Sequence, residues 1–400
     1  MTRVLIVGAG IGGLTAAITL RRLGVEVGLV ERAPNFRALG AGITIQPNAN
    51  AIFAALGVDL GRDNVFPMGK VAMLGAGGRT LVSGDPVHDG YAFPSYNIRR
   101  PDLHEALLAA LDGVELRLGV EVVGARELAG DGVEIELADG DRERWDLVIA
   151  ADGIRSSLRA LTVPPERCRL RYAGQTCWRF VVDAPELVPE VTIERWLPGR
   201  RVGVVPLSRG GVYVYIVESA PQGTPGPGTS EVAYVRERFA GVDARLDTLL
   251  DRVAAAGDVH IHHGDLIDQV HIDYGRGRLL LLGDAAHAMT PNMGQGAAMA
   301  IEDAGALGLL WGEVSLDALP EAMRAAREPR VAATHRRSWQ IGQVAHWRGR
   351  VRCALRDLAL RLTPQAVMDR GVDQTWAPGI ALGEQLRDKL GRRDALRKVA

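Results

Sequence analysis

Cysteine is scarce in this chain of 400 residues, which contains only Cys168, Cys177 and Cys353. An odd number of widely separated cysteines argues against a disulfide framework, and their spacing does not match that of zinc ligands. Free cysteines are typical of a reducing compartment, so we expect a cytoplasmic protein.

An excess of charge of either sign is also missing. The 47 basic and 48 acidic residues give a formal net charge of −1. Nucleic acids and anionic membranes attract proteins with an excess of positive charge on one face, so neither is expected as a main partner. Arginine recurs in a helical pattern over residues 319–362, which we interpret as solvated helix faces.

The chain has no long apolar run free of glycine near its start. Residues 4–20 are apolar but contain four glycines, so they do not match a signal peptide or a membrane anchor. The whole sequence is 47% hydrophobic and 24% charged, which is ordinary for a globular protein. A chain of this length has room for roughly one to three domains.

The beginning of the chain predicts a strand, a helix and a second strand. Residues 2–7 have the unbroken apolar pattern of a buried strand, residues 14–23 have helical spacing, and residues 25–31 form another apolar segment. Two strands joined by a helix belong to a parallel sheet, so we expect an α/β fold.

Glycines occupy the turn between the first strand and the helix. Gly8, Gly10 and Gly13 form a G-x-G-x-x-G pattern that also contains Gly12. The first permits a tight turn, the second lets the backbone approach a pyrophosphate, and the third allows close helix packing. Glu31 ends the next strand, where a carboxylate accepts hydrogen bonds from ribose hydroxyls. A glycine-rich turn can be purely structural, but this combination predicts a bound dinucleotide without saying which.

Other elements follow from periodicity and from turn residues. Helices are expected at 48–56 and 101–111, strands at 114–123, 133–137 and 146–151, and strands with alternating polarity at 176–182, 192–197, 202–206 and 212–217. The alternation indicates a half-exposed antiparallel sheet. After a glycine- and proline-rich loop at 220–229 we expect one helix, the apolar strand 279–282, and helices from Ala300 onward.

Two further segments combine aspartate with glycine. The segment LLGDAAH at 281–287, followed by GQG at 294–296, ends a strand and starts a helix, and DGIRSSLR at 152–159 follows another strand. Together with the first glycine motif, they resemble the three fingerprints of the group A flavoprotein monooxygenases, the p-hydroxybenzoate hydroxylase-like family. The resemblance covers nearly the whole chain.

The resemblance implies that the dinucleotide is FAD. Asp284 then binds the ribityl chain, the 152–159 segment serves both FAD and the pyridine nucleotide, and the loop 40–43 lines the flavin. The backbone near Val122 meets the adenine. In full, the residues expected to bind FAD are Gly8, Gly10, Gly12, Gly13, Glu31, Arg32, Arg100, Val122, Asp152, Asp284, Gly294, Gly296 and Ala297.

The helix that begins at the GQG segment has a physical consequence for a flavin. Its unpaired amides and positive dipole end stabilise negative charge, which accumulates on the flavin N1–C2 edge during two-electron reduction. The alternative is a glycine-rich turn that only allows tight helix packing. His287 lies in the same region, and we expect it to shape the loop rather than to catalyse.

No second dinucleotide fingerprint is found. The glycines at 75–78 and 210–211 do not lie between a strand and a helix, so a Rossmann domain for NADH or NADPH is not predicted. The resemblance implies that NADH or NADPH binds transiently as a co-substrate. Because the cofactors and O2 supply the difficult chemistry, the protein has to orient the substrate and exclude water.

Substrate contacts are expected from the antiparallel sheet. Arg201 and Tyr213 lie on neighbouring predicted strands, in a segment similar to bacterial FAD-dependent urate hydroxylases. That resemblance makes them the candidate catalytic residues, with the arginine favouring an anionic planar ring. A surface arginine and a sheet tyrosine are the alternative. The sequence around Trp178 differs from the urate-type pattern, and we assign no role to Trp178 or Arg179.

A histidine cluster at His260, His262 and His263 has the density of a metal site. No nearby cysteine or carboxylate completes a ligand set, so we interpret these residues as loop or strand-end positions and expect no metal.

We therefore expect an α/β protein with a Rossmann-like FAD-binding domain and its parallel sheet, an antiparallel-sheet substrate domain and a helical C-terminus. The expected bounds are 1–72, 97–167 and 272–330 for the first, 73–96 and 168–271 for the second, and 331–400 for the third.

The function implied by the resemblance is an NAD(P)H- and O2-dependent flavin monooxygenase. It would hydroxylate an electron-rich aromatic or heteroaromatic small molecule through a C4a-hydroperoxyflavin, and a homodimer is a further expectation. Two alternatives stay open: another FAD oxidoreductase, such as an oxidase or a prenyl reductase, and a non-catalytic flavin redox sensor.

Overall fold

The computed structural model describes residues 2–36, 41–84, 91–128, 132–226, 228–256 and 259–399. The strands are β1 Arg3–Val7, β2 Glu26–Glu31, β3 Gly42–Ile45, β4 Val65–Pro67, β5 Val71–Leu74, β6 Thr80–Gly84, β7 Tyr96–Arg99, β8 Glu115–Leu118, β9 Val122–Leu128, β10 Gly132–Leu137, β11 Arg142–Trp145, β12 Leu147–Ala150, β13 Leu170–Asp183, β14 Thr192–Leu197, β15 Arg200–Pro206, β16 Gly211–Ser219, β17 His262–Gln269, β18 Gly275–Arg276 and β19 Leu279–Leu281. The α-helices are α1 Ile11–Arg22, α2 Pro47–Leu56, α3 Arg100–Ala109, α4 Arg159–Thr162, α5 Glu231–Phe239, α6 Ala244–Ala256, α7 Asp284–His287, α8 Gly296–Leu310, α9 Leu319–Ala345, α10 Arg350–Leu362 and α11 Gln365–Val399.

The predicted parallel sheet is confirmed and has six strands. Their order is β18-β19-β12-β1-β2-β8, and the five strands from β19 to β8 run parallel. Strands β1, β2 and β12 are apolar because the sheet is buried on both faces. The carboxyl ends of β1, β12 and β19 lie at one edge of this sheet, so the loops that follow them meet there.

One predicted strand is two strands in the structure. The segment 114–123 divides at Gly119, which has a φ of +71° that interrupts the extended backbone. Strand β8 pairs with β2, whereas β9 joins β10 and β11 in a separate sheet of three strands. After the turn, the Val120 amide donates a hydrogen bond to the Glu31 carbonyl oxygen at 3.0 Å.

The predicted antiparallel sheet has seven strands in the order β17-β13-β16-β15-β14-β5-β6, with only the β14–β5 pair parallel. One face, which includes Trp178 and Phe180, packs against α5 and α6. The prediction that the other face is solvent-exposed is wrong, since Arg201 there is only 3% exposed. Strand β3, at Gly42, and the segment around Asn292 pack onto this face.

The chain between β16 and β18 contains more structure than the sequence indicated. Two helices, α5 and α6, replace the single predicted helix, because Gly241 adopts a φ of +72° between them. Asp243 then caps the second helix by accepting a hydrogen bond from the Arg245 amide at 3.0 Å. Strand β17, which begins at His262, was not predicted and pairs with β13.

The C-terminal part is helical, as predicted. Helix α11 packs against α2 and α8 and contributes Leu386 and Leu390 to the core of the parallel sheet. The interpretation of the arginines as solvated is wrong for Arg327 and Arg356, which are buried. Both make hydrogen bonds inside the protein, so their charges are not available to solvent or to a polyanion.

The parallel and seven-stranded sheets have separate apolar cores, the first shared with α1 and α8 and the second with α5 and α6. The division into three domains stays a prediction. None of the helices in the described ranges has the apolar length that a bilayer crossing requires.

Candidate functional site

The first glycine loop is tightly packed on one side and open on the other. Gly8 has a φ of +105°, and a Cβ there would lie 2.5 Å from the Ala151 carbonyl oxygen. A Cβ at Gly13 would lie 1.9 Å from the Gly8 carbonyl oxygen. At Gly10, by contrast, a Cβ would have no protein atom within 4 Å. The loop therefore leaves room beside Gly10 for a ligand to reach the backbone.

Glu31 fixes the same loop from the end of β2. Its carboxylate accepts hydrogen bonds from the amides of Ala9, at 3.0 Å, and Ala33, at 2.9 Å. Each carboxylate oxygen has further lone pairs, which leaves capacity for ribose hydroxyls. The Val120 amide is bonded to the Glu31 carbonyl oxygen, so Val122, two residues further along the chain, lies near Glu31. Arg32, which follows Glu31 in the sequence, is exposed.

The two aspartate motifs follow β12 and β19 and are joined by a hydrogen bond. Asp152 Oδ2 accepts from the Ser157 amide at 3.0 Å, while Asp152 Oδ1 is buried without a hydrogen-bond partner among the described residues. Arg159 Nη1 donates to the Ala285 carbonyl oxygen at 3.2 Å. This bond holds the 152–159 segment against the loop that carries Asp284.

The N-terminus of α8 lies beside that of α1. Gly294 adopts a φ of +63° ahead of the helix, and Gly296 and Ala297, at its start, are half-buried. A Cβ at Gly12 in α1 would lie 3.1 Å from the Ala300 Cβ in α8. The unpaired first amides of both helices, with their partial positive charge, are thus brought to one region by segments far apart in sequence.

A buried ionic network supports the loop before α7. His287 Nε2 lies 2.6 Å from Asp303 Oδ2, which also accepts from the Gly283 amide at 3.1 Å. Arg327 Nε donates to Asp303 Oδ1 at 2.8 Å. His287 is therefore engaged in holding the backbone of the aspartate loop.

This network makes the fold sensitive to acid. Burial raises the pKa of Asp303, but His287 and Arg327 together outweigh it and bring the value down from 3.8 to about 2. Because the folded pKa lies below the unfolded one, Asp303 stabilises the fold fully above pH of about 4 and loses this contribution as the pH falls towards 2. We expect Asp303→Asn to make the free energy of unfolding, measured with urea, fall less steeply over this range.

The exposed Asp63 provides the control for this measurement. Asp63→Asn should leave the slope of the free energy of unfolding against pH unchanged. An equal slope in the wild type and Asp303→Asn would contradict the assigned role of the Asp303 carboxylate.

Arg100, at the start of α3, is influenced by charges of both the aspartate loop and the seven-stranded sheet. Burial lowers the pKa of Arg100, Asp284 raises it, and Arg179 and Tyr213 have smaller opposing effects. The Arg100 amide donates to the Ala41 carbonyl oxygen at 2.9 Å, next to Gly42, which lies against the Tyr213 ring. Arg179 and Tyr213 project from the same face of the sheet, and we call the region between this face and the aspartate loop the cleft. Asp284 is exposed to solvent, yet desolvation by the surrounding protein raises its pKa, against the effects of His287 and Arg100.

Two tyrosines of β16 cover neighbouring glycines on the cleft side of the sheet. A Cβ at Gly42 would lie 2.7 Å from the Tyr213 ring, and a Cβ at Gly203 would lie 2.0 Å from the Tyr215 ring. Tyr215 donates its hydroxyl hydrogen to Glu194. Burial raises the pKa of Tyr213 to about 12, although nearby arginines lower it, so its hydroxyl is protonated at neutral pH. Tyr213 is therefore able to donate a hydrogen bond into the cleft.

Arg201 lies on the same face of the sheet and is held by protein side chains. Its Nη2 donates to Asn292 Oδ1 at 2.7 Å, and its Nη1 lies 3.5 Å from Glu194 Oε1. The Arg201 Nε is buried without a hydrogen-bond partner within the described ranges. The alternative of a surface arginine is therefore wrong. Contact of Arg201 and Tyr213 with substrate stays a prediction.

Two cleft residues had been given no role from the sequence. Arg179 lies on β13, directly opposite Tyr215 of β16 and His262 of β17. The neighbouring Cys177 sulfur raises the pKa of Arg179 most, burial lowers it, and Tyr213 raises it further. Burial, followed by Arg179, lowers the pKa of His262, which keeps its imidazole neutral at neutral pH.

The alternation of core-facing and cleft-facing side chains along β13 is the sequence pattern from which Arg179 could have been identified as a cleft residue. Trp178 and Phe180 fill the core beneath the sheet, so Arg179 must project from the opposite face. His263 belongs with the core side, because its ring stacks on Trp178 and bonds to Thr176 Oγ1 at 2.6 Å. In the described part of the chain, no group of three or more suitable side chains could hold a metal ion.

These features fit FAD. The open position at Gly10 accommodates a pyrophosphate, Glu31 and Asp284 offer carboxylates to sugar and ribityl hydroxyls, and Asp152 has a buried oxygen that can accept a hydrogen bond. The amides at the start of α8 supply the positive end that a reduced flavin requires. Gly40, from the loop expected to line the flavin, lies outside the described residues.

Comparison with known proteins identifies the family. The FAD binding domain family matches residues 1–338. The aurachin C monooxygenase/isomerase of Stigmatella aurantiaca is 38% identical over 373 residues, which cover 90% of this chain and 94% of that protein. The 2-heptyl-3-hydroxy-4(1H)-quinolone synthase of Pseudomonas aeruginosa is 35% identical over 373 residues, or 91% of this chain and 94% of that protein.

A solved structure agrees over almost the full length. The crystal structure of Klebsiella pneumoniae HpxO with FAD and uric acid superimposes with a TM-score of 0.84 at 26% identity, covering 96% of this chain and 97% of that one. Each aspartate and glycine motif therefore lies on a fold that binds FAD in a related protein. Motifs, fold and relatives agree that this chain belongs to the FAD-dependent aromatic monooxygenases and is an enzyme with FAD as its cofactor.

Proposed function

We propose that this enzyme uses NADH or NADPH and O2 to hydroxylate an electron-rich heteroaromatic ring with an oxygen substituent, such as the C4 carbonyl of a 4-quinolone. The observation that carries the proposal is that Arg179 and Tyr213 share one face of the seven-stranded sheet, where the Tyr213 ring lies against Gly42 and the neighbouring Ala41 carbonyl oxygen accepts the Arg100 amide. The residues that we assign to FAD open onto the same cleft. Substrate and cofactor would therefore meet there.

The chemistry of the ring explains why this grouping matters. A negatively charged oxygen substituent pushes electron density onto the ring carbon next to the one that bears it, and that neighbouring carbon is the atom that must accept the new oxygen. The Arg179 guanidinium and the Tyr213 hydroxyl are donors suited to such an oxygen. Both residues are half-buried, which strengthens the interaction because less water competes for the same donors than at an exposed site.

Neutral His262 completes this arrangement. It lies opposite Arg179 on the neighbouring strand, and its lowered pKa leaves a ring nitrogen free to accept a proton. We assign it the proton lost by an N–H or O–H group as the ring becomes electron-rich. FAD, when bound, supplies the redox chemistry with O2, while the chain orients the ring and excludes water.

The names of the relatives support a quinolone-type ring. One relative makes a 4-quinolone with a hydroxyl on C3, next to the carbonyl carbon C4, and the other takes its name from aurachin C. The related structure that contains uric acid is consistent with a flat, oxygen-bearing heterocycle. Here Arg201 and Tyr213 would bind the substrate together with Arg179.

Several further expectations accompany this function. NADH or NADPH would bind only transiently, because no second dinucleotide fingerprint is found in the sequence. The three cysteines are free, which suits work in the cytoplasm. The homodimer and the three-domain division also belong to the proposal.

Isotopically labelled O2 tests the proposal. The FAD-loaded enzyme is incubated with NADH or NADPH and a 2-alkyl-4-quinolone, and the product is examined by mass spectrometry. We expect the quinolone to stimulate NAD(P)H oxidation and one labelled oxygen atom to enter the product. Unlabelled product would favour an oxidase or a reductase. Absence of stimulation by quinolones, phenols and purines alike would favour a redox sensor.

A further inference from the structure

Helix α10 presents a continuous apolar stripe to solvent. Val351, Leu355, Leu358 and Leu362 recur at the spacing of one helix face. They are 72%, 60%, 49% and 70% exposed, respectively. Isolated exposed leucines are ordinary in proteins, but four in a row on one face of a surface helix indicate a contact surface.

The stripe cannot turn inward, because the opposite face of α10 is anchored. Cys353 and Arg356 are buried on that face, and Arg356 Nη1 donates to the Ala345 carbonyl oxygen at 2.9 Å. The Arg356 guanidinium also lies over the Trp196 ring, 5.3 Å from its centre. Asp357, the one acidic residue of α10, is paired with Arg356 at 2.8 Å.

Arginines border the stripe on both sides. At about 100° per residue, Arg350 and Arg352 fall on opposite flanks of Val351, and Arg361 falls beside Leu362. All three arginines are exposed. Arg350 and Arg361 share one flank and Arg352 lies on the other, and an apolar stripe with cations on both flanks is the pattern of helices that lie in the headgroup region of a membrane.

We propose that α10 docks this enzyme on the surface of an anionic lipid bilayer. The four apolar side chains would enter the boundary between headgroups and acyl chains, and the three arginines would contact lipid phosphates. Exposed Trp347, just before the helix, is suited to the same boundary. The chain-wide charge of −1 does not weigh against this surface, since only the local cations lie within a Debye length of the lipids.

A bilayer fits this surface better than a second copy of the chain. Two copies of α10 packed face to face would bring two sets of flanking arginines together, with Asp357 already paired to Arg356. The repulsion would oppose pairing, whereas anionic headgroups neutralise every arginine at once. The proposal does not depend on the identity of the substrate.

Vesicle sedimentation with the FAD-loaded full chain tests this surface. The vesicles consist of phosphatidylcholine alone or of phosphatidylcholine mixed with phosphatidylglycerol. We expect binding to the mixed vesicles that weakens as salt is raised, and weak or no binding to phosphatidylcholine alone. Leu355→Gln/Leu362→Gln should lower the partition coefficient by roughly tenfold or more. Arg350→Gln/Arg352→Gln/Arg361→Gln should lower it by a similar factor of roughly tenfold or more.

Leu118→Gln/Leu161→Gln is the matched control, because it removes two other exposed leucines, 38% and 43% exposed, outside α10. It should bind vesicles as the wild type does. Flavin absorbance and the melting temperature confirm that each variant is folded.

Three results would overturn the proposal. One is a folded wild type that stays in the supernatant with mixed vesicles. Another is vesicle binding that the stripe variant leaves unchanged. The third is a wild-type dimer, seen by sedimentation velocity without vesicle binding, that the stripe variant converts to a monomer.

Discussion

Replacing Gly10 with alanine is expected to remove high-affinity FAD binding while the apoprotein stays folded. Gly10 has φ and ψ of −73° and 179°, which alanine adopts freely, and a Cβ there meets no protein atom within 4 Å. The methyl group would instead occupy the space of the pyrophosphate. Overpacking of this kind costs about 3 kcal/mol, so the Kd for FAD should rise by roughly a hundredfold.

Titration of apoprotein with FAD, followed by flavin fluorescence, measures this effect. Gly77→Ala is the matched control, since a Cβ at Gly77 also has no protein atom within 4 Å but lies in an exposed turn. The melting temperatures of both apoproteins should equal that of the wild type. FAD affinity equal to wild type in Gly10→Ala would place the pyrophosphate elsewhere. Gly8→Ala differs in kind, because its Cβ would collide with Ala151 and destabilise the fold itself.

The second large effect is expected at Arg179. Arg179→Gln removes a half-buried cation that we place against the oxygen substituent of the ring, where one such donor contributes roughly 3 kcal/mol to the transition state. The value of kcat/KM for a 2-alkyl-4-quinolone should therefore fall by roughly a hundredfold. The Kd for FAD should not change, because Arg179 lies on the sheet side of the cleft.

Steady-state NAD(P)H oxidation and FAD titration separate these two effects. Arg179→Lys keeps the charge but not the forked geometry, so we expect an intermediate kcat/KM. The exposed Arg126 gives the control, and Arg126→Gln should leave both quantities unchanged. If Arg179→Gln retained wild-type kcat/KM while binding FAD normally, the substrate would have to lie away from this face.

The parallel sheet and the motifs at its edge could be predicted because they are encoded locally. A buried strand, a glycine turn and a helix follow one another within a short segment, and each has its own sequence pattern. The same holds for Asp152 and Asp284, which come directly after β12 and β19. Their convergence follows from a general property of parallel sheets, whose carboxyl ends share one edge.

The other parts of the fold and of the candidate site depend on contacts between segments far apart in the sequence, which no local sequence pattern reveals. The alternation along β13 separates Arg179 from Trp178, but it does not say which face is covered and by what. His287, Asp303 and Arg327 lie on three different helices, α7, α8 and α9, so they cannot be paired from their spacing in the sequence alone. The division of the predicted strand 114–123 at Gly119 follows from the pairing of β8 and β9 with different sheets, and this pairing is not encoded in the segment itself.

We infer that one cleft holds FAD along the glycine and aspartate motifs and presents the substrate ring to the cationic face of the sheet. A crystal structure of the enzyme with FAD and a 2-alkyl-4-quinolone tests it most directly. We predict that one FAD molecule reaches from Gly10 to the α8 N-terminus at Gly296, with the quinolone oxygen hydrogen-bonded to Arg179 or Tyr213. A quinolone bound with its oxygen remote from both side chains, or FAD that does not approach both glycines, would contradict the account.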